Sequence, residues 1–311
     1  MTHSPLRVWI ISDGKPGHVN QSLGLAEALA RASPTAMLTL PALPAWRAWL
    51  AWLLKHFPGN SLPIPDLIVG AGHSTHVTLL AARRACGGRA VVLMKPSLPR
   101  RWFDLCILPR HDGVAADART LVTEGALNRI LPPTARDAHQ GLLRHGLILV
   151  GGASPHFEWD SDAVQVQIRS ILARTPDMHW TLTTSRRTPD DFLLQLPQPA
   201  NLTVVPHTTT APDWLPAQFA RCGTVWVTPD SASMVFESLT AGADVGVFDL
   251  PVNPKSRVGA AIAVLADTQR ITRFASWCAN GLLHPNLHPL AEADRCANWI
   301  LEWLKKQKRE N

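Results

Sequence analysis

Short apolar runs that end in small or turn-forming residues, each followed by apolar positions at helical spacing, recur along the chain. Residues 7–12 (RVWIIS) read as a buried strand, 13–20 as a loop, and 21–31 as a helix with Leu25, Ala28 and Leu29 on one face. Residues 66–70 (DLIVG) read as a second strand, ending in Ala71-Gly72-His73-Ser74-Thr75 and leading into an alanine- and leucine-rich helix to about residue 84. Residues 90–94 and 105–108 add two strands. The pattern restarts with 146–150 (GLILV), Gly151-Gly152 and a helix over 163–174, then strands at 179–183, 202–205, 224–227 and 245–248. Strands alternating with helices imply parallel βαβ units, hence two doubly wound α/β domains. The polar, proline-containing stretch 131–145 reads as a linker, giving domains over 1–140 and 141–311. The helix expected at 290–306 places Cys296, Ile300 and Leu304 on one side and is able to pack back on the first domain.

Composition agrees with a folded protein: 311 residues, 46% hydrophobic and 17% charged. The +6 net charge is uneven, with 16 Lys and Arg against 8 Asp and Glu in residues 1–145. Such a basic half suits an anionic partner or a merely solubilising surface. Five scattered cysteines without a CxxC pair suit buried thiols in a reducing compartment. The apolar start is too short for a signal peptide, and no run is long enough to span a membrane, so a cytoplasmic location is expected.

Residues 226–251 carry the clearest chemistry. A strand ends in Thr228-Pro229-Asp230-Ser231, and a helix starts near Ser233, capped by Ser231 or Ser233. Free amides at a helix start seat a pyrophosphate. Glu237, one turn beyond Ser233, is placed to reach the hydroxyls of a ribose; Met234 lies between them. An ordinary capped βαβ unit has the same local pattern.

This segment resembles the donor-binding part of GT-B glycosyltransferases. The whole chain resembles the mitochondrial fission ELM1 family, through residues 12–29 (SDGKPGHVNQSLGLAEAL), 109–113 (PRHDG), 123–128 (TEGALN) and 228–242. The resemblance implies a GT-B-like α/β fold, two Rossmann-like domains with an interdomain cleft, and a nucleotide-sugar as substrate. It also implies that the first loop faces the acceptor side of that cleft, with Asp13, Lys15, Gly17, His18, Asn20 and Gln21 near the reacting centre. Asp13 or His18 there could act as general base and Lys15 could neutralise phosphate. The Gly151-Gly152 turn, with Ser154, resembles the turn that approaches donor phosphates. Arg186 or Arg187, and Lys255 with Arg257, are further phosphate candidates at strand ends. His73 and Ser74 are expected to face the cleft, with Ser74 or Thr75 capping a helix. Arg110 and His111 are expected there too, although an Arg110–Asp112 pair could instead brace their loop. His73 and His76 have ligand-like spacing but no nearby carboxylate, so no metal is assigned. The DxD motif is absent, so metal independence is expected, with no cofactor beyond the nucleotide-sugar.

The expected function is transfer of a sugar from a nucleoside-diphosphate (or CMP) sugar to a cell-envelope glycan or lipid-linked acceptor. A nucleoside-diphosphate-sugar epimerase on the same fold, or a non-catalytic adaptor, are the alternatives. No nucleic-acid partner is expected. Residues 44–57 place Trp46, Trp49, Leu50, Leu53 and Phe57 on one helical stripe beside Arg47 and Lys55. Such a stripe either faces the core or lies in the interface of an anionic membrane.

Overall fold

The computed structural model describes residues 4–133, 144–197 and 199–310. The chain divides into unit 1, Met1–Arg129 with Ala291–Asn311, and unit 2, Ile130–Leu290. Residues 134–143, the middle of the expected linker and the position of the expected boundary, lie outside the described residues.

Unit 1 is built on strands β1 (Leu6–Ser12), β2 (Thr35–Pro41), β3 (Leu67–Ala71), β4 (Arg89–Leu93), β5 (Leu105–Pro109) and β6 (Thr120–Thr123). They pair in the order β2-β1-β3-β4-β5-β6, every ladder parallel. Helices α1 (Pro16–Ala32), α2 (Ala45–Leu54) and α3 (His76–Cys86) connect the first strands. The last helix, α9 (Glu292–Glu310), returns to this unit. One face of the sheet, with Val8, Ile10, Val69 and Val91, packs on Leu25 and Leu29 of α1 and on Cys296 and Ile300 of α9. The other, with Trp9, Ile11, Ile68 and Val92, packs on Ala51, Leu79 and Phe103. Burial of both faces explains why β1, β3 and β4 are continuous apolar runs rather than alternating ones.

Unit 2 repeats the plan with β7 (His145–Leu149), β8 (His179–Thr183), β9 (Leu202–Val205), β10 (Thr224–Val227), β11 (Asp244–Val247) and β12 (Thr272–Arg273). Their order is β12-β11-β10-β7-β8-β9, again all parallel. Helix α4 (Ser161–Arg174) follows β7; α5 (Trp214–Phe219), α6 (Ala232–Thr240), α7 (Arg257–Asp267) and α8 (Phe274–Asn280) complete the unit. Val225, Val245, Phe236 and Leu239 form one core layer, and Ile148, Trp226, Ile168 and Trp277 the other.

Two readings of the sequence need correction, and one left open is decided. Strands β2, β6 and β12 were not expected; β2 is an exposed edge strand and β12 only two residues long. Helix α1 starts at Pro16, not Gln21, so Gly17, His18 and Asn20 are helical rather than loop residues. Proline suits that first turn because its missing N–H would be unpaired there anyway. Helix α2 buries Ala48 and Ala51 and exposes Trp46, Trp49, Leu50 and Leu53, so of the expected stripe only Phe57 enters the core.

Candidate functional site

Each sheet has one place where the strand order turns back on itself. In unit 1 the chain leaves β1 to one side for β2 and returns on the other for β3. In unit 2 it leaves β7 for β8 and returns beside β7 as β10. Because the strands are parallel, the loops after each such pair emerge together at the carboxyl edge. In open α/β sheets a ligand crevice forms there.

At the first of these points Asp13 gathers the polar groups. Its carboxylate accepts from His18 Nδ1 at 2.9 Å and Ser74 Oγ at 2.8 Å through Oδ2, and from the Lys15 amide at 3.2 Å through Oδ1. The Lys15 ammonium stands 3.9 Å away. The Asp13 side chain is 5% exposed. Burial pushes its carboxyl up, but the bonds from His18, Ser74 and Lys15, with the His18 charge, outweigh it and hold the group below its ordinary value. A carboxylate can only accept, so His18 Nδ1 carries the hydrogen of that bond and Nε2 is turned away from Asp13. Gly72 has φ +85°, and a Cβ there would lie 2.3 Å from the His18 ring, so only glycine lets this loop approach the first turn of α1. Ser74 therefore serves Asp13 and not the helix; Thr75 bonds back to the Gly72 carbonyl and does not cap α3 either.

His76 is buried under this loop, with Nδ1 3.1 Å from Ser97 Oγ and its ring edge-on to Phe103. Burial first, then the His73 and His18 charges, push it down to about 4. It is neutral at neutral pH. Its exposed neighbour His73 is not brought to it as a metal pair: among the described residues no group of three or more His, Cys, Asp or Glu could hold a metal ion.

At the second point the Gly151-Gly152 turn is tied to the segment before α6. The Gly151 amide donates to Thr228 Oγ1 at 2.7 Å and the Gly152 amide to Asp230 Oδ2 at 3.0 Å. Asp230, 1% exposed, pairs with Arg187 at 2.7 Å, and Arg187 also donates to the Gly152 and Ala153 carbonyls. A Cβ on Gly152 would lie 1.8 Å from the Arg187 carbonyl oxygen. The turn is thus clamped between two neighbouring strand ends, and its amides are used within the protein.

Helix α6 leaves its own start bare. Ser231 is the N-cap residue but makes no side-chain cap bond, and Ser233 is exposed, so neither serine caps the helix as expected. The first-turn amides of a helix have no intrahelical partner, and here the N-cap side chain supplies none. Glu237 follows with no partner for its carboxylate among the described residues, and burial pushes it up to about 7. Met234 packs partly against the unit 2 core.

The family model described as "Mitochondrial fission ELM1" matches residues 16–304. The chain belongs to that family. A Rickettsia prowazekii protein, described as uncharacterized, is 29% identical to this ELM1-family chain over 119 residues, 34% of this chain and 32% of that protein. The match thus spans about a third of that relative's length. Among solved structures, a Listeria monocytogenes protein described as a UDP-N-acetylglucosamine 2-epimerase superposes with TM-score 0.63 at 12% identity, covering 99% of this chain and 98% of that one. MurG of Acinetobacter baumannii gives 0.54 at 15% identity, covering 97% and 100%. The S. aureus MnaA–UDP structure gives 0.52 at 12%, covering 96% and 97%. These likenesses show the fold, a two-domain α/β architecture of the GT-B class.

Other expected residues of this ELM1-family chain stand apart from the two clusters or serve their own loops. Arg110 pairs with Glu124 at 3.7 Å, while Asp112 accepts from the Lys95 amide, so the alternative Arg110–Asp112 brace gives way to other partners. His111 sits beside them, half-buried. Gln21 is buried and donates to Met94 Sδ; Asn20 is exposed, and Gly17 borders open space. Ser154 accepts from the His156 and Phe157 amides, which spends its hydroxyl on the local turn. Arg186 and Lys255 are exposed. Arg187 belongs to the clamp. Asp230, Thr228 and Met94, which has φ 68°, were not anticipated as members of these edges. An aspartate directly after a buried strand was the available signal for Asp230; nothing in the sequence marked Met94.

Proposed function

We propose that this chain is a glycosyltransferase. Its donor is a nucleoside-diphosphate (or CMP) sugar, its acceptor a cell-envelope glycan or lipid-linked sugar, and it works in the cytoplasm with no cofactor beyond the donor. One observation carries the reading: the uncapped start of α6 stands one turn from a half-buried Glu237 whose carboxylate has no partner among the described residues. Amide donors suit a phosphate, and a carboxylate acceptor suits ribose hydroxyls. Clamping of the Gly151-Gly152 turn by Asp230 and Arg187 supports it by fixing the adjoining strand end.

In this reading the donor's phosphates rest on α6 and Glu237 accepts from the ribose. His18 Nε2 takes the acceptor hydroxyl's proton as its oxygen bonds to the sugar's anomeric carbon. The bond from that carbon to the phosphate oxygen breaks, and the nucleotide leaves with the electron pair. Asp13 stabilises the imidazolium so formed, and the α6 amides stabilise the leaving phosphate.

Calorimetry with UDP, ADP, GDP and CMP tests the donor seat. At least one is expected to bind, and Glu237→Ala to weaken it. Silence from all four sinks the reading in favour of an adaptor. Release of nucleotide from a nucleotide-sugar only after acceptor lipid is added supports transfer, whereas conversion of the sugar without acceptor supports an epimerase.

A further inference from the structure

Helix α2 is inverted relative to an ordinary surface helix. Its small residues, Ala48 and Ala51, are buried, while Trp46, Trp49, Leu50, Leu53 and Leu54 are exposed, Trp46 and Leu53 each to 65%. At 100° per residue these five side chains span about 140° of the helix, opposite the two alanines. Ile64, shortly after the helix, is exposed as well. A contiguous apolar face of this kind marks a contact surface.

The sequence on either side of it is basic. From residue 28 to residue 103 the chain has nine Lys and Arg and a single acidic residue, Asp66, whose carboxylate accepts the Arg7 amide. Arg47 stands over the Trp46 ring at 5.0 Å and Arg84 over Trp52 at 4.4 Å. Lys55 closes the helix in the left-handed conformation. None of these three cations has a carboxylate partner among the described residues.

We infer that the exposed face of α2 seats in the headgroup layer of an anionic lipid bilayer, with Trp46, Trp49, Leu50 and Leu53 entering the acyl boundary and Arg47, Lys55 and Arg84 meeting the lipid charges. The occupant must be apolar beneath and anionic on its skin. Nucleic acid lacks the apolar interior, and a second copy would set cation against cation. A bilayer supplies both, and tryptophan suits its interface. With 10 residues, about 15 Å, α2 lies along such a surface and does not cross it. No described helix is long and apolar enough to cross a membrane.

The experiment is flotation of the full chain with two kinds of vesicle: phosphatidylcholine alone, and phosphatidylethanolamine with roughly one-quarter phosphatidylglycerol to supply surface potential. The protein should float with the anionic vesicles only, less so as salt rises. Replacing Trp46, Leu50 and Leu53 together by serine should weaken partition at least about 100-fold. Arg47→Gln with Lys55→Asn should weaken it about 25-fold, roughly fivefold per cation. All five positions are exposed, and circular dichroism checks the fold. The charge variant carries the test alone should the serine variant unfold. The inference is overturned if the wild-type chain stays at the bottom, if neither variant changes flotation, or if light scattering shows that the face instead joins two copies without vesicle binding. Nucleotide calorimetry on the same variants should be unchanged, so the donor-site proposal stands or falls separately.

Discussion

Replacing Glu237 by glutamine should make the protein more stable and less able to bind nucleotide. The carboxylate has an ordinary value of 4.5 and is pushed up to about 7 by burial alone. At about 1.4 kcal/mol per pKa unit, ionising it in the folded protein costs up to about 3 kcal/mol, an upper bound because the residue keeps some solvent contact. The sign follows from linkage. A raised folded pKa means that the folded chain holds its proton better than the unfolded chain. That stability is complete below about pH 4.5 and is lost as pH rises through about 7. Glu237→Gln, neutral throughout, should therefore match wild type at pH 4.5 and exceed it at pH 8.5. For a unit of this size the gain is roughly 6–12 °C in Tm. Losing a charge-assisted acceptor for ribose should weaken nucleotide binding roughly 10- to 100-fold. Calorimetry at pH 6 and 8 on the wild-type chain should show tighter binding at the higher pH, with protons released near neutrality. Equal thermal stability of variant and wild type at pH 8.5, with undiminished nucleotide affinity, would refute the argument.

His18→Gln should lower the transfer rate by about 10²–10⁴ while leaving nucleotide affinity unchanged, measured as kcat beside calorimetric Kd. Asp13→Asn should give a similar loss. It should also remove a stabilisation that wild type shows near neutrality and loses in acid, as pH falls through the depressed Asp13 value, detectable by urea denaturation at pH 7 and pH 3. Gly152→Ala should destabilise unit 2 by about 3 kcal/mol, because the added methyl meets the Arg187 backbone rather than a movable side chain; denaturation checks it. Arg187→Ala strands the buried Asp230 charge and should cost about 2–3 kcal/mol, lessened because Arg187 is 40% exposed, and Asp230→Asn in the same chain should recover part of it.

What the sequence revealed, and what it concealed, divides along physical lines. Strands β1, β3, β4, β7 and β10 were legible because both their faces are buried, so each is an unbroken aliphatic run with turn residues behind it. Strand β2 was not, because it is an edge strand with Met37 and Leu38 exposed, and its pattern carries little burial signal. The start of α1 was hidden by Pro16 and Gly17, which read as breakers although proline is at home in a first turn. Helix-start serines misled in the opposite sense. Ser74 and Ser231 both look like caps, yet Ser74 turns to Asp13, sixty-one residues away in the chain, and Ser231 caps nothing. The Asp230–Arg187 clamp depends on β8 and β10 flanking β7, a neighbourhood that only the strand order creates. For α2 the periodicity was plain but its direction was not. A helix with alanines on one side and tryptophans on the other can turn either way, and here tight packing of Ala48 and Ala51 prevails.

The two carboxylates at the sheet edges have opposite environments, and the difference assigns their roles. Asp13 is met by three donors, so it stays ionised and orients what it holds. The Glu237 carboxylate has no partner among the described residues, and the N-cap side chain one turn before it offers the helix amides no bond. A bare donor set alone suits any anion. A bare acceptor one helical turn of about 5.4 Å further on demands that the same ligand also present hydroxyl hydrogens at that reach. Inorganic phosphate satisfies the first requirement and fails the second, whereas a nucleotide satisfies both through its phosphate and its ribose. Phosphate should therefore bind Glu237→Gln at least as well as wild type, since it gains nothing from the carboxylate and is repelled by its charge, and only the nucleotide should prefer wild type.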